Sequence, residues 1–291
     1  MPEQKKYEWQ GSHEEFKEEK VMVVQHNLTA MNTSRQMTGV QNALAKATEK
    51  LSSGYRINRA GDDAAGLSIS EKMRSQIRGL NKASTNAQDG ISLVQVAEGA
   101  LSTTHEILQR MNELATQAAN DTNTSTDRKA IQAEIDQLTS EIDRIQSTTQ
   151  FNTMNLLDGN FSSKNLQVGS LSGQKIEVKI DNMAASKLGV HQCKVSNFED
   201  AGKAMAAIQS AINLVSTQRS TLGALQNRLE HTINNLDTTA ENTQAAESRI
   251  RDTDMADEMV NYSKNNILAQ AGNAMLAQAN QLNQGVLSLL G

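Results

Sequence analysis

Apolar side chains recur at intervals of three and four residues along most of the chain after Val24, with polar residues between them. This spacing places a narrow apolar stripe along an α-helix. Comparable stripes over residues 24–51, 131–145, 205–236 and 255–289 predict four helices, and Arg219 interrupts the third of these. The longest unbroken stripe is a heptad seam with one polar member, Thr104, and it runs through Val94, Ala97, Leu101, Thr104, Leu108, Met111, Ala115 and Ala118.

The segment from 151 to 200 has a different pattern. Turn signals occur at Asp158-Gly159, Gly169 and Gly173,. Next to them, apolar residues alternate with polar ones over residues 166–168 and 176–180, which predicts two short strands. The pattern as a whole therefore indicates a mainly α fold with a small β-hairpin region in the middle.

The composition favours long helices. Pro2 is the only proline and aromatic residues make up only 3% of the chain, so nothing in the interior forbids an unbroken helix and few large side chains can fill a thick core. Leu, Ile, Val, Met and Ala suit thin helix-on-helix seams instead. We predict an elongated antiparallel helical bundle or coiled coil formed by both chain ends.

Charge and cysteine content exclude several classes of protein. The net charge of −5 argues against nucleic-acid binding, and no apolar run approaches the length of a membrane span. Cys193 is the only cysteine, which excludes disulfide frameworks and cysteine-based zinc sites, and we expect its thiol to be exposed. His105 and Glu106 begin a near match to a zinc-protease motif, but Gln109 replaces the second histidine. We therefore predict neither a cofactor nor enzymatic activity.

Residues 1–21 differ from the rest of the chain. They are dense in Glu and Lys, and they hold the only tryptophan and three of the eight aromatic residues. Met22 offers a second translation start. Two interpretations stay open: an over-extended start or disordered leader, and a genuine charged tail.

The two chain ends carry apolar stripes but few large side chains with which to build a core. Such segments are marginal as isolated helices, so we expect them to gain order by burying their stripes against other copies. The alternative is that the two ends pair within one chain. The predicted assembly residues are Leu28, Met31, Val40, Leu44, Leu51, Leu268, Met275, Leu282, Val286 and Leu289.

The stretch from Leu51 to Gly66, LSSGYRINRAGDDAAG, closely resembles the signature of bacterial flagellins. The similarity continues through residues 86–101, 108–114, 149–152, 226–236, 246–256 and 270–290.

This resemblance implies a domain order. It gives an N-terminal inner-core helix over 22–57, outer-core helices over 58–150, a short β-rich insertion over 151–200, a further outer-core helix over 201–252 and a C-terminal inner-core helix over 253–291. A connection between the layers, with ion pairing among its charged residues, is expected at Arg56, Arg59, Asp62, Asp63, Arg249, Arg251, Asp252 and Asp254.

The resemblance also implies a function. The chain would be a structural subunit that polymerises into the extracellular flagellar filament for motility, after secretion through the flagellar type III apparatus. Expected partners are other copies of the chain, an export chaperone that binds the C-terminal segment, and the hook-associated and cap proteins. The alternatives are a hook–filament junction protein and a secreted receptor ligand or adhesin.

Toll-like receptor 5 is a further expected partner. The family's receptor-contacting positions correspond to Arg110, Leu114 and Glu134. Arg110 and Leu114 are i,i+4 neighbours on a helix, so they can share a surface. The alternative is that Leu114 is a seam residue and that Arg110 and Glu134 are ordinary solvated charges.

Overall fold

The structure is a computed structural model that describes the backbone of residues 26–290 and the side chains of residues 26–281. The leader predicted over residues 1–21 lies outside the described residues, as do the side chains of Leu282, Val286 and Leu289. The described chain divides into two compact units. Unit 1 comprises residues 26–58 and 252–290, and unit 2 comprises Arg59–Arg251.

Long helices account for most of the described chain, as the apolar periodicity predicts. The helices are α1 (Leu28–Ser53), α2 (Ala64–Ala118), α3 (Ser125–Thr148), the short α4 (Ala185–Leu188), α5 (Phe198–Arg251) and α6 (Met255–Leu290). The strands are β1 (Gln150–Phe151), β2 (Met154–Asn155), β3 (Lys164–Gln167) and β4 (Lys175–Val178). The mainly α prediction is confirmed.

The predicted β-hairpin is also confirmed. β3 and β4 pair antiparallel with Leu166 opposite Ile176, so the apolar members of the two alternating segments face each other across the hairpin. β1 and β2 form a second antiparallel pair, whose tight turn places Asn152 and Thr153 at positive φ.

Unit 1 consists of α1 packed antiparallel against α6. The Asn27 side chain holds one end of the pair: its Oδ1 accepts from the N–H of Ala30, which caps α1, while its Nδ2 donates to the carbonyl of Ala279 at 2.9 Å,. Lys50 and Glu258 form an ion pair of 3.5 Å near the other end.

The end of α1 is set by Gly54. Its φ of +75° is the left-handed conformation that glycine adopts without a steric penalty, and its N–H donates to the carbonyl of Lys50,. The chain then turns so that the Gly54 carbonyl accepts from the N–H of Thr253 at 3.0 Å. Tyr55 and Asp252 form an isolated antiparallel bridge beside this bond.

Unit 2 has a continuous apolar core in which α2 packs against α5 and α3. The heptad seam of α2 lies at its centre, and Thr104 is buried within the seam. Its hydroxyl donates to the carbonyl of Ala100 at 2.9 Å, so the one polar member of the seam is satisfied. The large side chains that lie fully buried in unit 2 include Leu101, Leu108, Met111, Leu114, Ile135, Ile142, Ile208 and Leu222.

The α5 seam passes through Gln218 rather than being broken at Arg219. Gln218 lies at heptad spacing between Val215 and Leu222 and is buried, while its amide donates to the carbonyl of Lys179 at 3.2 Å. Arg219, one position along, reaches Glu98 of α2 at 3.2 Å. The polar residue within the seam is therefore Gln218, and its side-chain amide is hydrogen-bonded to the backbone next to β4.

Cys193 is buried, so the expectation of an exposed thiol is wrong. The Gln132 side chain on α3 accepts from the N–H of Val195 at 2.8 Å and donates to the carbonyl of Cys193 at 2.9 Å, which draws this loop onto the helix. Burial raises the pKa of the Cys193 thiol,. Composition alone did not show that this glycine-flanked loop packs against α3.

Candidate assembly surface

The contact between α1 and α6 is built from small and half-buried side chains. Among the described side chains of unit 1, only Ala47, Ile57 and Ala279 are buried hydrophobic residues. Gly272 lies at a close contact between the helices, since a Cβ at this position would be 3.0 Å from Sδ of Met37. Over the described side chains, the pairing within one chain therefore leaves few apolar residues fully buried.

Most of the large apolar residues of unit 1 remain exposed. They have between 44% and 67% of their surface accessible, and they are Leu28, Met31, Met255, Met259, Val260, Ile267, Leu268 and Met275. Soluble monomers rarely leave so many neighbouring large apolar side chains in water, and such surfaces mark interaction sites.

The exposed apolar residues of α6 point in more than one direction. Val260 and Ile267 are seven residues apart and share one row along the helix, because seven residues return to within ~20° of the same direction. Leu268 and Met275 form a second such row. The two rows are about 100° apart on a helix of 3.6 residues per turn. Exposed Met259 lies a further 100° around the helix, on the other side of Val260,. The exposed apolar residues therefore extend over about 180° of the helix, wider than the face that usually packs on one neighbour, so α6 is suited to several helical neighbours.

The predicted assembly residues fall into two groups. Val40, Leu44 and Leu51 are half-buried and recur with Ala47 at three- and four-residue intervals along α1, the spacing of one helix face,. The second group is exposed and comprises Leu28, Met31, Leu268 and Met275. Intrachain pairing, the alternative interpretation, thus accounts for part of the stripe only.

Val260 and Ile267 belong to the same exposed surface but were not predicted. The predicted assembly residues of the C-terminal segment belong to one stripe, whereas α6 carries apolar residues in further rows. Their seven-residue separation was the available signal.

The predicted receptor surface is only partly exposed. Arg110 and Glu134 are about half exposed, and Nη2 of Arg110 donates to Oε1 of Glu134 at 3.0 Å. Leu114 is 2% exposed and belongs to the core of unit 2. The expectation that Leu114 offers an apolar contact beside Arg110 is therefore wrong for the folded subunit, since heptad packing turns this side chain inward.

Arg110 joins two helices electrostatically. Its hydrogen bonds to Glu134 on α3 and to Glu113 on its own helix raise the pKa of the guanidinium, which stays fully charged,. The result is an exposed three-residue charge cluster whose geometry is held across the α2–α3 contact.

In unit 2, two of the predicted connecting residues accept hydrogen bonds near the start of α2. Oδ1 of Asp63 accepts from the N–H of Gly66 at 2.8 Å and caps α2,. Asp62 accepts from the N–H of Arg59 at 3.0 Å within the preceding turn. Arg249 is exposed near the end of α5.

Arg251 pairs with Glu71, which was not among the predicted connecting residues. Its Nη1 donates to Oε1 of Glu71 at 2.7 Å, and this bond lowers the pKa of the Glu71 carboxyl. Next to it, the Ser70 hydroxyl donates to Glu247 at 2.7 Å in a buried setting. These bonds fasten the end of α5 to the first turns of α2. Their partners are about 180 residues apart, so sequence spacing gave no signal for them.

In unit 1, Asp254 caps α6 by accepting from the N–H groups of Ala256 and Asp257, and Arg56 is exposed. Helix capping by Asp254, like that by Asp63, was not part of the ion-pairing prediction. A single carboxylate before a helix fits the cap geometry without any partner distant in sequence.

The described residues hold neither a metal-ligand set nor a membrane-spanning helix. Over residues 26–281, no three His, Cys, Asp or Glu side chains come together as a metal-ligand set. His105 and Gln109 contact each other through their side-chain nitrogens at 3.0 Å. Across the described helices, none combines the length and the apolar character required to cross a bilayer.

Comparison with known families identifies the chain. Residues 24–162 match the bacterial flagellin N-terminal helical region, and residues 205–290 match the bacterial flagellin C-terminal helical region. The chain belongs to the bacterial flagellin family. It is 57% identical over 272 residues to the flagellin of Halalkalibacterium halodurans, an alignment that covers 92% of this chain and 100% of that protein.

A second curated relative agrees with the flagellin assignment, and a solved structure shares the fold. The flagellar filament 33 kDa core protein of Treponema phagedenis is 50% identical over 285 residues, covering 92% of this chain and 100% of that protein. A solved structure described as a flagellar hook-associated protein from Vibrio parahaemolyticus has a TM-score of 0.55 at 13% identity, covering 66% of this chain and 100% of that one. The latter likeness is one of fold alone. As a flagellin, the chain is a structural subunit of a flagellar filament.

Proposed function

We propose that this flagellin assembles by burying the exposed apolar rows of α1 and α6 against other copies of the same chain. The observation that carries the proposal is that large apolar side chains remain exposed in several directions around α6 while its contact with α1 uses small residues. Several neighbours are needed to cover such a helix, as in a filament and not in a closed dimer.

The driving force is apolar burial. Fully burying one Leu, Ile, Val or Met side chain is worth about 1.5–3 kcal/mol, and eight large apolar residues of unit 1 are exposed. Their burial offsets the loss of rotational and conformational freedom on association. The thin pairing within one chain then gains most of its stability from its neighbours, which couples order to assembly.

Paired substitutions on α6 test this proposal. I267S/L268S removes one residue from each of the two exposed rows. Q270S/N273S is the matched control, because it places the same two serines at exposed polar positions of the same helix. We expect the first variant to fail to elongate filament seeds and the second to elongate them like the parent, as measured by sedimentation and negative-stain microscopy. Elongation by I267S/L268S at the parental rate would contradict the proposal.

Further partners follow from the family assignment and are part of the proposal. The chain would leave the cell through the flagellar type III apparatus, bind an export chaperone through its C-terminal segment, and meet hook-associated and cap proteins at the ends of the filament. Accumulation inside cells whose flagellar export apparatus is inactivated is the expected result. Long filaments by microscopy would distinguish it from a hook–filament junction protein, which would cap a structure without extending it.

The exposed cluster of Arg110, Glu134 and Glu113 favours a second function, recognition by Toll-like receptor 5. Arginine is among the residue types enriched in binding hot spots, and Leu114, in the core of unit 2, would support this surface from beneath. We expect R110A to weaken the response of receptor-expressing reporter cells about tenfold, which corresponds to ~1.4 kcal/mol. K203A is the control, since it removes an exposed ion pair with Glu199 elsewhere in unit 2. An unchanged response to R110A would exclude this role for the cluster.

A further inference from the structure

We propose that the assembly surface of unit 1 is an oxidation site: a group of exposed methionine thioethers whose conversion to sulfoxide by a peroxide or hypohalous acid blocks addition of the free subunit. The inference rests on the proposed assembly function, because it requires this surface to become buried between copies.

The distribution of methionines carries the proposal. Met31, Met255, Met259 and Met275 are each about half or more exposed, and all four lie in unit 1. In unit 2, Met111 is fully buried and Met183 is nearly so. Met154, on β2, is exposed to 41% but lies outside the assembly surface. Of the five exposed methionines among the described residues, four therefore lie in unit 1, on the proposed assembly surface.

At each methionine, the oxidant supplies the oxygen atom and accepts the two electrons. The lone pair of Sδ attacks one oxygen of hydrogen peroxide, an S–O bond forms, the O–O bond breaks, and the second oxygen leaves as water after proton transfer. The sulfur loses two electrons and the peroxide gains them. Access to the thioether governs the rate, so exposed methionines react first.

Oxidation makes more polar the side chains that assembly has to remove from water. A sulfoxide is polar and a strong hydrogen-bond acceptor, and burying it without a donor costs free energy that a thioether does not cost. The assembled filament, by contrast, shields the same sulfurs. Oxidant exposure therefore acts on the free subunit, while subunits that have already been incorporated are protected.

The first test maps oxidation on the intact chain. Free subunits and assembled filaments are treated with hydrogen peroxide, quenched and digested, and each methionine is followed by mass spectrometry. In free subunits, we expect Met31, Met255, Met259 and Met275 to oxidise at least about fivefold faster than Met111. In filaments these four should slow to a similar degree. Rates in filaments equal to those in free subunits would overturn the inference even though filaments form.

The second test uses variants that keep the apolar volume. M31L/M255L/M259L/M275L replaces each thioether by a side chain of similar size that peroxide does not oxidise. We expect it to elongate seeds before and after peroxide treatment, whereas the parent loses elongation after treatment. M154L is the matched control and should lose elongation like the parent. Equal loss in the four-leucine variant and the parent would refute the proposal.

The two proposals fail in different ways. If the untreated parent does not elongate seeds, the assembly function is wrong. If the untreated parent elongates seeds and oxidised subunits elongate them equally well, only the oxidation proposal is wrong.

Discussion

Gly79 of α2 lies directly against Ser170 in the turn between β3 and β4. A Cβ at Gly79 would be 2.8 Å from Cβ of Ser170 and 3.3 Å from its Cα. Eleven residues further along the same helix, which is close to three full turns, Gly90 meets the side chain of Leu166 on β3,. The two glycines therefore form a flat strip on α2 on which the hairpin rests.

Alanine substitutions at two glycines of α2, Gly79 and Gly99, test this close approach. G79A should destabilise unit 2 by about 1–3 kcal/mol, because the backbone of the turn has to move. G99A is the matched control, since no heavy atom lies within 4 Å of its would-be Cβ. It should stabilise the helix by up to ~1 kcal/mol. Urea unfolding followed by circular dichroism measures the free energy of unfolding of both variants. If both substitutions change it in the same direction, the close contact between Gly79 and the hairpin turn is not supported.

Leu114 provides a test of core packing at a predicted receptor residue. L114A should lower the free energy of unfolding of unit 2 by about 2–5 kcal/mol, since it leaves a cavity in the seam. L171A removes a leucine that is 67% exposed and should cost less than about 0.5 kcal/mol. If L114A unfolds at the parental denaturant concentration, Leu114 does not belong to the core.

The cap at Asp63 predicts a difference between two substitutions. D63A should destabilise unit 2 by about 1 kcal/mol, because the N–H of Gly66 loses its acceptor, whereas D63N retains a capping oxygen and should cost much less. Thermal unfolding of the two variants checks this. Equal losses would mean that the negative charge of Asp63, and not its capping bond, is what matters.

The Glu71–Arg251 bond gives a pH dependence of defined sign. Arg251 holds the pKa of the Glu71 carboxyl below its ordinary value near 4.5. The folded state therefore binds this proton less readily than the unfolded state, so the stabilisation is present above about pH 4.5 and is lost as the pH falls through the folded pKa.

E71Q should accordingly reduce stability at neutral pH slightly and flatten the acid side of the stability curve. E106Q removes one exposed negative charge elsewhere on α2 and serves as the control. Unfolding midpoints recorded between pH 3 and pH 7 test this prediction. If the midpoints of E71Q and of the parent chain fall in parallel as the pH is lowered, the prediction is wrong.

Cys193 should resist thiol reagents in the native state. Its side chain is buried and burial raises the pKa of the thiol, so both access and the thiolate fraction are reduced. We expect labelling by a disulfide reagent at neutral pH to be at least about tenfold slower in the native chain than in denaturant. Equal rates would restore the prediction of an exposed thiol.

The seams and the hairpin were open to prediction because their signals are local. The alternation from Val94 to Ala118 specifies one helix face, and Leu166 and Ile176 lie in alternating segments that pair in register. The burial of Cys193 was not predictable in this way, since it depends on Gln132 hydrogen bonding to the loop from a helix about sixty residues earlier.

The sequence by itself determined the apolar seams of the long helices and the place where the β-hairpin interrupts them, and it predicts that the chain ends do not form a core alone. Periodicity and composition carry that information because they report which side of each element can be buried. Only the tertiary structure decided that α6 turns Gly272 and Ala279 toward α1 and leaves Met275 and Ile267 in water. A helix with apolar residues in several rows has more than one face that could be buried, and packing against a specific neighbour selects among them.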